Sequence, residues 1–211
     1  LTIDRPDSDV GLIRSAPGAT VRDIGIVNAD VTASAGAILA KNALGETTPN
    51  PVVTDVTVTG SVTATESATG GLIGMSDATV TGCAADVIVD AASTGTGIDA
   101  TRRIGGLIGI TRDPGVIEDA HVTGRVQTDS ESGDGEVSEV GGVVGEDDTD
   151  GTKPSETESA IRRVTADVTV DAPAAWNVGG VVGQTGYGTI EECVTTGDVT
   201  GGEYVGGAVV R

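Results

Sequence analysis

The sequence predicts an all-β fold, a parallel β-solenoid (β-helix) of about six to seven coils with short strands, glycine-rich turns and variable acidic loops. Three observations support this fold class. A glycine phrase recurs along the chain, the stretches between its copies alternate apolar and polar residues, and the 211 residues include no Phe, one Trp and two Tyr. A core without large rings must be thin and regular, and stacked β-branched residues can form such a core.

The glycine phrase reads GGLIG or GGVVG in its best copies. Those copies begin at Gly70, Gly105, Gly141 and Gly179, GGAVV begins at Gly206, and the degenerate copies GLIR and GAIL begin at Gly11 and Gly36. The second glycines therefore fall at positions 11, 36, 71, 106, 142, 180 and 207, between 25 and 38 residues apart. This spacing is typical of stacked supersecondary units, in which each unit covers the apolar face of its neighbour.

A second type of apolar stretch lies between the glycine phrases. These stretches cover residues 20–33, 52–64, 79–90, 116–128, 160–171 and 189–201. They alternate with period two and are rich in Val and Thr, which favours strands over helices. Each repeat therefore contributes at least two short strands, and successive coils are expected to stack about 4.8 Å apart.

Aligning these stretches predicts three columns of side chains that point into the core. The columns are Val21, Val53, Val80, Ile117, Ile161, Ile190; then Ile24, Val56, Cys83, Ala120, Val164, Cys193; and then Val31, Val62, Val87, Val126, Val168, Val199. Polar pairs separate the first two columns and are expected to face water at a corner: Arg22/Asp23, Thr54/Asp55, Glu118/Asp119, Arg162/Arg163 and Glu191/Glu192.

The predicted organisation is one domain, residues 1–211, with coils that start near 9, 34, 69, 104, 140, 178 and 205. Both ends resemble interrupted coils, which suggests a piece of a longer chain. Open strand edges at the ends of a solenoid template further pairing. We therefore expect the face at residues 206–210 to be covered by another copy of the chain or by a flanking domain.

The charge of the chain is strongly negative. There are 32 Asp and Glu against 12 Lys and Arg, only two of them Lys, which gives a formal net charge of −20. Phosphate binding needs clustered cations, so nucleic acid is not an expected partner. Such an acidic excess is tolerated where concentrated salt screens it, and it indicates a halophilic source; an ordinary acidic secreted protein is the alternative. No apolar run approaches the roughly 18 residues of a spanning helix, so direct membrane insertion is not expected.

The repeated phrase also resembles a known family. VGG followed by two apolar residues, a glycine, a turn, an apolar strand and V-T-G is similar to the Glug repeat of bacterial and archaeal cell-surface proteins, best matched at residues 104–128 and 178–201. The resemblance extends from about Asp9 to Val210 and implies a stalk or display scaffold. It implies no catalytic residues, and no protease activity is carried over from relatives that bear one.

The cysteines and the histidine have ordinary structural interpretations. Cys83 and Cys193 share an inward column three repeats apart, about 14 Å, which is too far for a disulfide. Neither has a further Cys or His nearby for zinc. His121 shares its column with Gly25, Thr57, Ala84, Thr165 and Val194. That column predicts a surface residue and not a general base.

Two acidic inserts, residues 127–139 and 146–159, interrupt the repeats. In the second insert Glu146, Asp148 and Asp150 alternate before Gly151, as oxygen ligands do in a calcium loop. The twelfth position is Thr157 where a bidentate Glu would be needed, so a solvated loop is the favoured interpretation. Neither a catalytic residue nor a cofactor is predicted, and calcium at these three residues is the one metal hypothesis.

The arginine pairs Arg102/Arg103 and Arg162/Arg163 could hold carboxylates or sulfates of sugars. Pairing with neighbouring Asp and Glu is favoured because acids outnumber them.

These features together favour a non-enzymatic structural or adhesive module. The expected setting is the cell surface or an extracellular filament of a halophile, with contacts to surface glycans or cell-surface proteins. The alternative is a polysaccharide-acting β-helix enzyme or a viral tail-spike or fibre segment. An ice-binding surface would need threonine ladders in every coil, which the sequence lacks.

Overall fold

The computed structural model describes residues 1–44, 50–65, 68–91, 102–112, 114–128, 138–148, 159–186 and 188–210, and its regular elements are all strands. In chain order the strands are β1 (Thr2–Arg5), β2 (Ile13–Ser15), β3 (Thr20–Ala33), β4 (Ala40–Ala43), β5 (Val52–Ala64), β6 (Thr69–Gly70), β7 (Ile73–Ser76), β8 (Thr79–Thr81), β9 (Ala84–Ala91), β10 (Arg102–Gly105), β11 (Ile108–Arg112), β12 (Val116–Glu118), β13 (His121–Thr128), β14 (Ser138–Gly141), β15 (Val144–Asp148), β16 (Ala160–Arg162), β17 (Thr165–Ala172), β18 (Asn177–Gly179), β19 (Val182–Thr185), β20 (Thr189–Glu191), β21 (Val194–Thr195), β22 (Val199–Gly201), β23 (Tyr204–Gly206) and β24 (Val209–Val210).

The strands form three sheets of 12, five and seven strands, and they pair in parallel. In the repeat that begins at Arg102, β10 joins the five-stranded sheet and β11 the seven-stranded sheet, while β12 and β13 join the 12-stranded sheet. Strands β14 to β17 of the next repeat pair with them in the same order. The predicted all-β class with parallel strands is confirmed.

The core is narrow and built from aliphatic side chains. Strands β9 and β17 alternate buried and more exposed residues along their lengths, as the period-two pattern predicted. The largest fully buried side chains are Ile38, Leu39, Leu72, Ile73, Ile104, Leu107, Ile108, Ile117 and Ile161. Stacking of similar side chains from repeat to repeat removes apolar surface from water without any aromatic ring.

The first predicted column is confirmed residue by residue. Val21 pairs with Val53, Val53 with Val80, Val80 with Ile117, Ile117 with Ile161, and Ile161 with Ile190. The second column is also directed inward: Val56, Cys83, Ala120 and Val164 are buried, while Ile24 and Cys193 are partly buried against the core.

The third predicted column contains two wrong residues. Val62 pairs with Val89, Val89 with Val126, and Val126 with Val170, so Val89 and Val170 take the places predicted for Val87 and Val168. Val87 instead lies opposite Gly60 and Gly124. The error is a slip of two residues, which keeps the same side chains facing inward and so leaves no trace in a period-two pattern.

The second copy of the glycine phrase is also shifted by two residues from its predicted position. Ala40 pairs with Ile73, which follows Gly71 by two positions, so Ile38 and not Gly36 occupies the place of the second glycine. The prediction aligned Gly36 with the second glycine of the other copies because both are glycines. In the structure the inward pair Leu39 and Leu72 sets the register, with the Leu39 amide donating to the Leu72 carbonyl.

The glycines of the phrase allow two repeats to approach closely where the chain passes from the five-stranded to the seven-stranded sheet. A Cβ atom placed on Gly109 would lie 2.6 Å from the carbonyl oxygen of Gly74 and 2.6 Å from the amide nitrogen of Thr69. No real Cβ atom tolerates such contacts with backbone. The turn thus brings the side chains just before and just after the glycines close together, and it positions the polar cluster described below.

The predicted polar pairs form a left-handed corner. The second residue of each pair has a positive φ, at Asp23 (57°), Asp55 (53°), Asp119 (53°), Arg163 (53°) and Glu192 (54°). Gly82, at 64°, takes the same place in the repeat for which no polar pair was predicted. These residues are exposed. Amides of the corner donate to the next repeat, as from Asp119 to the Arg162 carbonyl and from Arg163 to the Glu191 carbonyl.

Candidate functional site

A polar cluster lies beside the glycine turns of three successive repeats. Arg103, Glu139 and Asn177 occupy one column, which precedes the turn. Glu146 and Gln184 are register partners in the column that follows it. The Arg103 guanidinium binds the Glu146 carboxylate across the turn, and the Asn177 amide donates to Gln184 Oε1 at 2.9 Å. The Arg103–Glu146 pair therefore ties the five-stranded sheet of one repeat to the seven-stranded sheet of the next, and the Asn177–Gln184 hydrogen bond ties the two sheets within one repeat.

Glu139 is the most unusual member of this cluster. It is 3% exposed, its Oε2 atom accepts no hydrogen bond from the described residues, and that atom lies 3.9 Å from Arg103 Nε. Burial, and then the negative charge of Glu146, raise its pKa to about 7, while Arg103 opposes the shift. Burial also raises the pKa of Glu146, although Arg103 partly offsets this effect. Glu139 can thus bind or release a proton near neutral pH.

The calcium hypothesis concerned Glu146, Asp148 and Asp150. The structure places Glu146 and Asp148 at alternate positions of β15, and Asp150 lies outside the described residues. Glu146 pairs with Arg103, and Asp148 Oδ2 lies 3.6 Å from Arg112 Nε. No group of three or more metal-ligating side chains occurs within the described ranges. The two described carboxylates contact guanidinium groups, and calcium binding stays a prediction.

Of the two predicted arginine pairs, Arg103, Arg162 and Arg163 contact carboxylates, as predicted. Arg163 donates to Asp119 at 2.7 and 3.1 Å and lies 3.3 Å from Glu118. Arg162 lies 3.3 Å from Glu191 and 3.6 Å from Glu118. The hydrogen bond from Arg163 lowers the pKa of the Asp119 carboxyl and raises the pKa of Arg163 itself. This network lies at the exposed corner, where water screens it.

Cys83 and Cys193 are free thiols directed toward the core. Each thiol donates to a backbone carbonyl two residues earlier, Cys83 to Thr81 at 3.5 Å and Cys193 to Glu191 at 3.2 Å. Burial raises the pKa of both thiols. A thiol kept protonated is a weak nucleophile, so both fit the predicted structural role.

His121 is exposed, in register with Ala84 and Thr165, which agrees with the predicted outward column.

Two acidic residues were not recognised from the sequence as individual sites. Glu139 was counted within an acidic insert, although it precedes VGG as Arg103 precedes IGG, and this alignment is the signal that could have identified it. Asp147 is 2% exposed and accepts hydrogen bonds from Ser159 Oγ at 2.6 Å and from Thr185 Oγ1 at 2.8 Å. It lies between two carboxylates that were singled out, on the opposite side of β15.

No helix within the described ranges has the length and apolar character needed to cross a membrane.

Comparison with known proteins finds similarity at the level of motif and fold. No curated protein matches the chain. The crystal structure of a "putative immunoglobulin A1 protease" from Bacteroides ovatus is similar, with a TM-score of 0.61 and 18% identity over 98% of this chain and 66% of that one, just under two thirds. At this identity the likeness shows the fold alone. The model of the GLUG motif matches residues 174–200, which confirms the Glug resemblance in this part of the chain.

Proposed function

We propose that the chain is a parallel β-solenoid that serves as a rigid, acidic structural or adhesive module at a cell surface or in an extracellular filament. The observation that carries the proposal is the continuity of parallel pairing: strands of one repeat bond to the equivalent strands of the next in all three sheets. A stack of this kind keeps its shape without a ligand, because each repeat is held by its neighbours.

The motif and the fold support an extracellular role. The GLUG match at residues 174–200 and the fold shared with the Bacteroides ovatus protein both fit a secreted or surface-displayed β-helix. The protease activity in the name of that protein does not extend to this chain, which we infer to be non-enzymatic. The two carboxylates of Glu139 and Glu146 share a single guanidinium, that of Arg103, in a largely buried cluster.

Contacts would be made at the sides and at the ends of the stack. The sides of the stack offer surfaces to glycans or cell-surface proteins, while open strand edges fit another copy of the chain or a flanking domain. The net charge of −20 fits a halophilic setting and disfavours nucleic acid.

Two measurements on the producing cells and the purified chain test this proposal. Antibodies against the chain should label intact cells or their extracellular filaments. Incubation with a panel of polysaccharides should release no new reducing ends. Labelling that requires permeabilised cells would contradict the surface role, and turnover of any polysaccharide would contradict the non-enzymatic role and favour the β-helix enzyme.

A further inference from the structure

An open cleft of about 710 Å³ lies near the first strands of the chain. It is lined by Arg5, Asp7, Ser8, Asp9, Arg14 and Ser34, among others. Its volume falls within the roughly 300–1,000 Å³ usual for small-molecule sites. The lining is polar, with guanidinium, carboxylate and hydroxyl groups on different segments of the chain.

The arginines of this cleft differ from most of the other described arginines. Neither Arg5 nor Arg14 forms an ion pair with a carboxylate of the described residues. Ion pairs do hold Arg22, Arg103, Arg112, Arg125, Arg162 and Arg163. In a chain with 32 acidic residues, two arginines that share a cleft and lack a protein carboxylate are available to a carboxylate from a ligand.

One carboxylate of the cleft, that of Asp9, is held by two neighbouring side chains. Asp9 Oδ1 accepts a hydrogen bond from Ser34 Oγ at 3.1 Å, and Asp9 Oδ2 lies 3.7 Å from Nζ of Lys41, which is 7% exposed. These contacts fix the Asp9 carboxylate before any ligand arrives. The residues that line the cleft carry two guanidinium groups and two carboxylates, so the cleft lacks the acidic excess of the molecule as a whole.

We propose that this cleft binds a saccharide that contains a uronic acid. Its carboxylate accepts hydrogen bonds from Arg5 and Arg14, whose planar guanidinium groups match a carboxylate in shape. Its hydroxyl groups donate to the carboxylates of Asp7 and Asp9 and exchange hydrogen bonds with Ser8. Two arginines beside two carboxylates favour one ligand carboxylate among hydroxyls over a densely charged polyanion. This inference goes beyond the structural role and does not depend on it.

Calorimetric titration of the full chain tests the proposal, with digalacturonate and a glucuronate-containing hyaluronan tetrasaccharide as probes. Lactose serves as the uncharged disaccharide and sodium sulfate as the simple anion, all at one moderate salt concentration. We expect saturable binding of at least one acidic probe and at least about tenfold weaker binding of lactose and sulfate. Lactose lacks the carboxylate and sulfate lacks the sugar hydroxyl groups, so each control can make only part of the proposed contacts.

Variants locate the binding. Replacing both cleft arginines, Arg5→Gln with Arg14→Gln, should lower the affinity for the acidic probe by about tenfold or more. Arg22 is an exposed arginine outside the cleft, so Arg22→Gln should leave that affinity unchanged. Circular dichroism confirms that both variants keep the strand content of the parent.

Absence of saturable binding by both acidic probes would overturn the proposal. So would equal affinity for lactose, sulfate that binds as tightly as the acidic probe, or a double variant that retains the parent affinity.

Discussion

Asp119 and Arg163 show how single backbone positions shape each repeat. Both have a positive φ, a conformation that costs most L-residues about 1–2 kcal/mol, and Asp tolerates it better than Arg. The corner keeps these side chains exposed and adjacent, so Arg163 can bind Asp119 of the preceding repeat. A strained backbone position thus doubles as the site of an ion pair between repeats.

The last glycine of the phrase, which lies in the strand just after the turn, should be indispensable. We expect Gly109→Ala to lower the free energy of unfolding by about 3 kcal/mol or more, because the new Cβ would lie 2.6 Å from the Gly74 carbonyl oxygen. Gly25→Ala is the matched control, since a Cβ there has nothing within 4 Å. Urea denaturation of both variants measures the difference. Equal free energies of unfolding for the two variants would show that the repeats can move apart at this position without loss of stability.

Protonation of Glu139 should make the stability depend on pH. Its folded pKa of about 7 lies above the ordinary 4.5, so the folded state holds the proton more tightly than the unfolded state does. The favourable contribution is complete below about pH 4.5 and is lost as the pH rises through about 7, a change of about 3 kcal/mol. We therefore expect Glu139→Gln to be more stable than the parent at pH 8, with the advantage fading toward pH 5.

The measurement is urea denaturation at several pH values between 5 and 8. Asp119→Asn provides a control that should differ from the parent by the same amount at every pH in this range, because Arg163 lowers the pKa of Asp119 and its contribution is lost only as the pH falls below the ordinary value of 3.8. A constant difference between Glu139→Gln and the parent across this range would refute the assignment.

At the scale of elements, a few buried polar groups connect strands that the apolar columns leave apart. Asp147 on β15 accepts hydrogen bonds from Thr185 on β19 and from Ser159, just before β16. Asn177 and Gln184 join β18 to β19 across the glycine turn. Apolar stacking drives the sheets to pack together. These polar contacts then hold neighbouring strands in fixed positions where the chain passes from one sheet to the next.

Loss of the Asp147 carboxylate should be costly. Asp147→Ala leaves the hydroxyls of Ser159 and Thr185 without this acceptor in a buried place, so we expect a loss of about 3 kcal/mol in unfolding free energy. The control is Asp171→Ala, which removes a 2.5 Å contact with Arg125 between side chains that are 40% and 46% exposed. That variant should lose less than about 1 kcal/mol. Similar losses in thermal or urea unfolding would argue that Asp147 is not an important connection.

At the scale of the whole molecule, stacking and charge oppose each other. Each repeat pairs with its neighbours in three sheets, so stability accumulates along the stack. The net charge of −20 is spread along the same stack and repels itself. Ion pairs at the corner and beside the glycine turns offset only part of this repulsion, because basic residues are few.

Salt should therefore stabilise the chain. We expect the melting temperature to rise between tens of millimolar and molar sodium chloride, as the Debye length shortens from about 20 Å to about 3 Å. Calorimetry over that range measures the effect, and calcium at equal ionic strength should add little. An unchanged melting temperature would remove the main support for a halophilic source, whereas a saturable shift at micromolar calcium would favour a site at Glu146, Asp148 and Asp150.

The residue pattern alone was enough to predict the all-β class, the parallel pairing from repeat to repeat, and the direction of most side chains. Alternation with period two is a local property, so the inward column from Val21 to Ile190 and the outward place of His121 follow from it. The register at Val89, Val170 and Ala40 could be read from the folded molecule alone, since a shift of two residues preserves the alternation. Folding alone brought Glu139, Glu146 and Arg103 together and assembled the cleft of Arg5 and Arg14, because contacts between sheets depend on where the turns place residues that are distant in the chain.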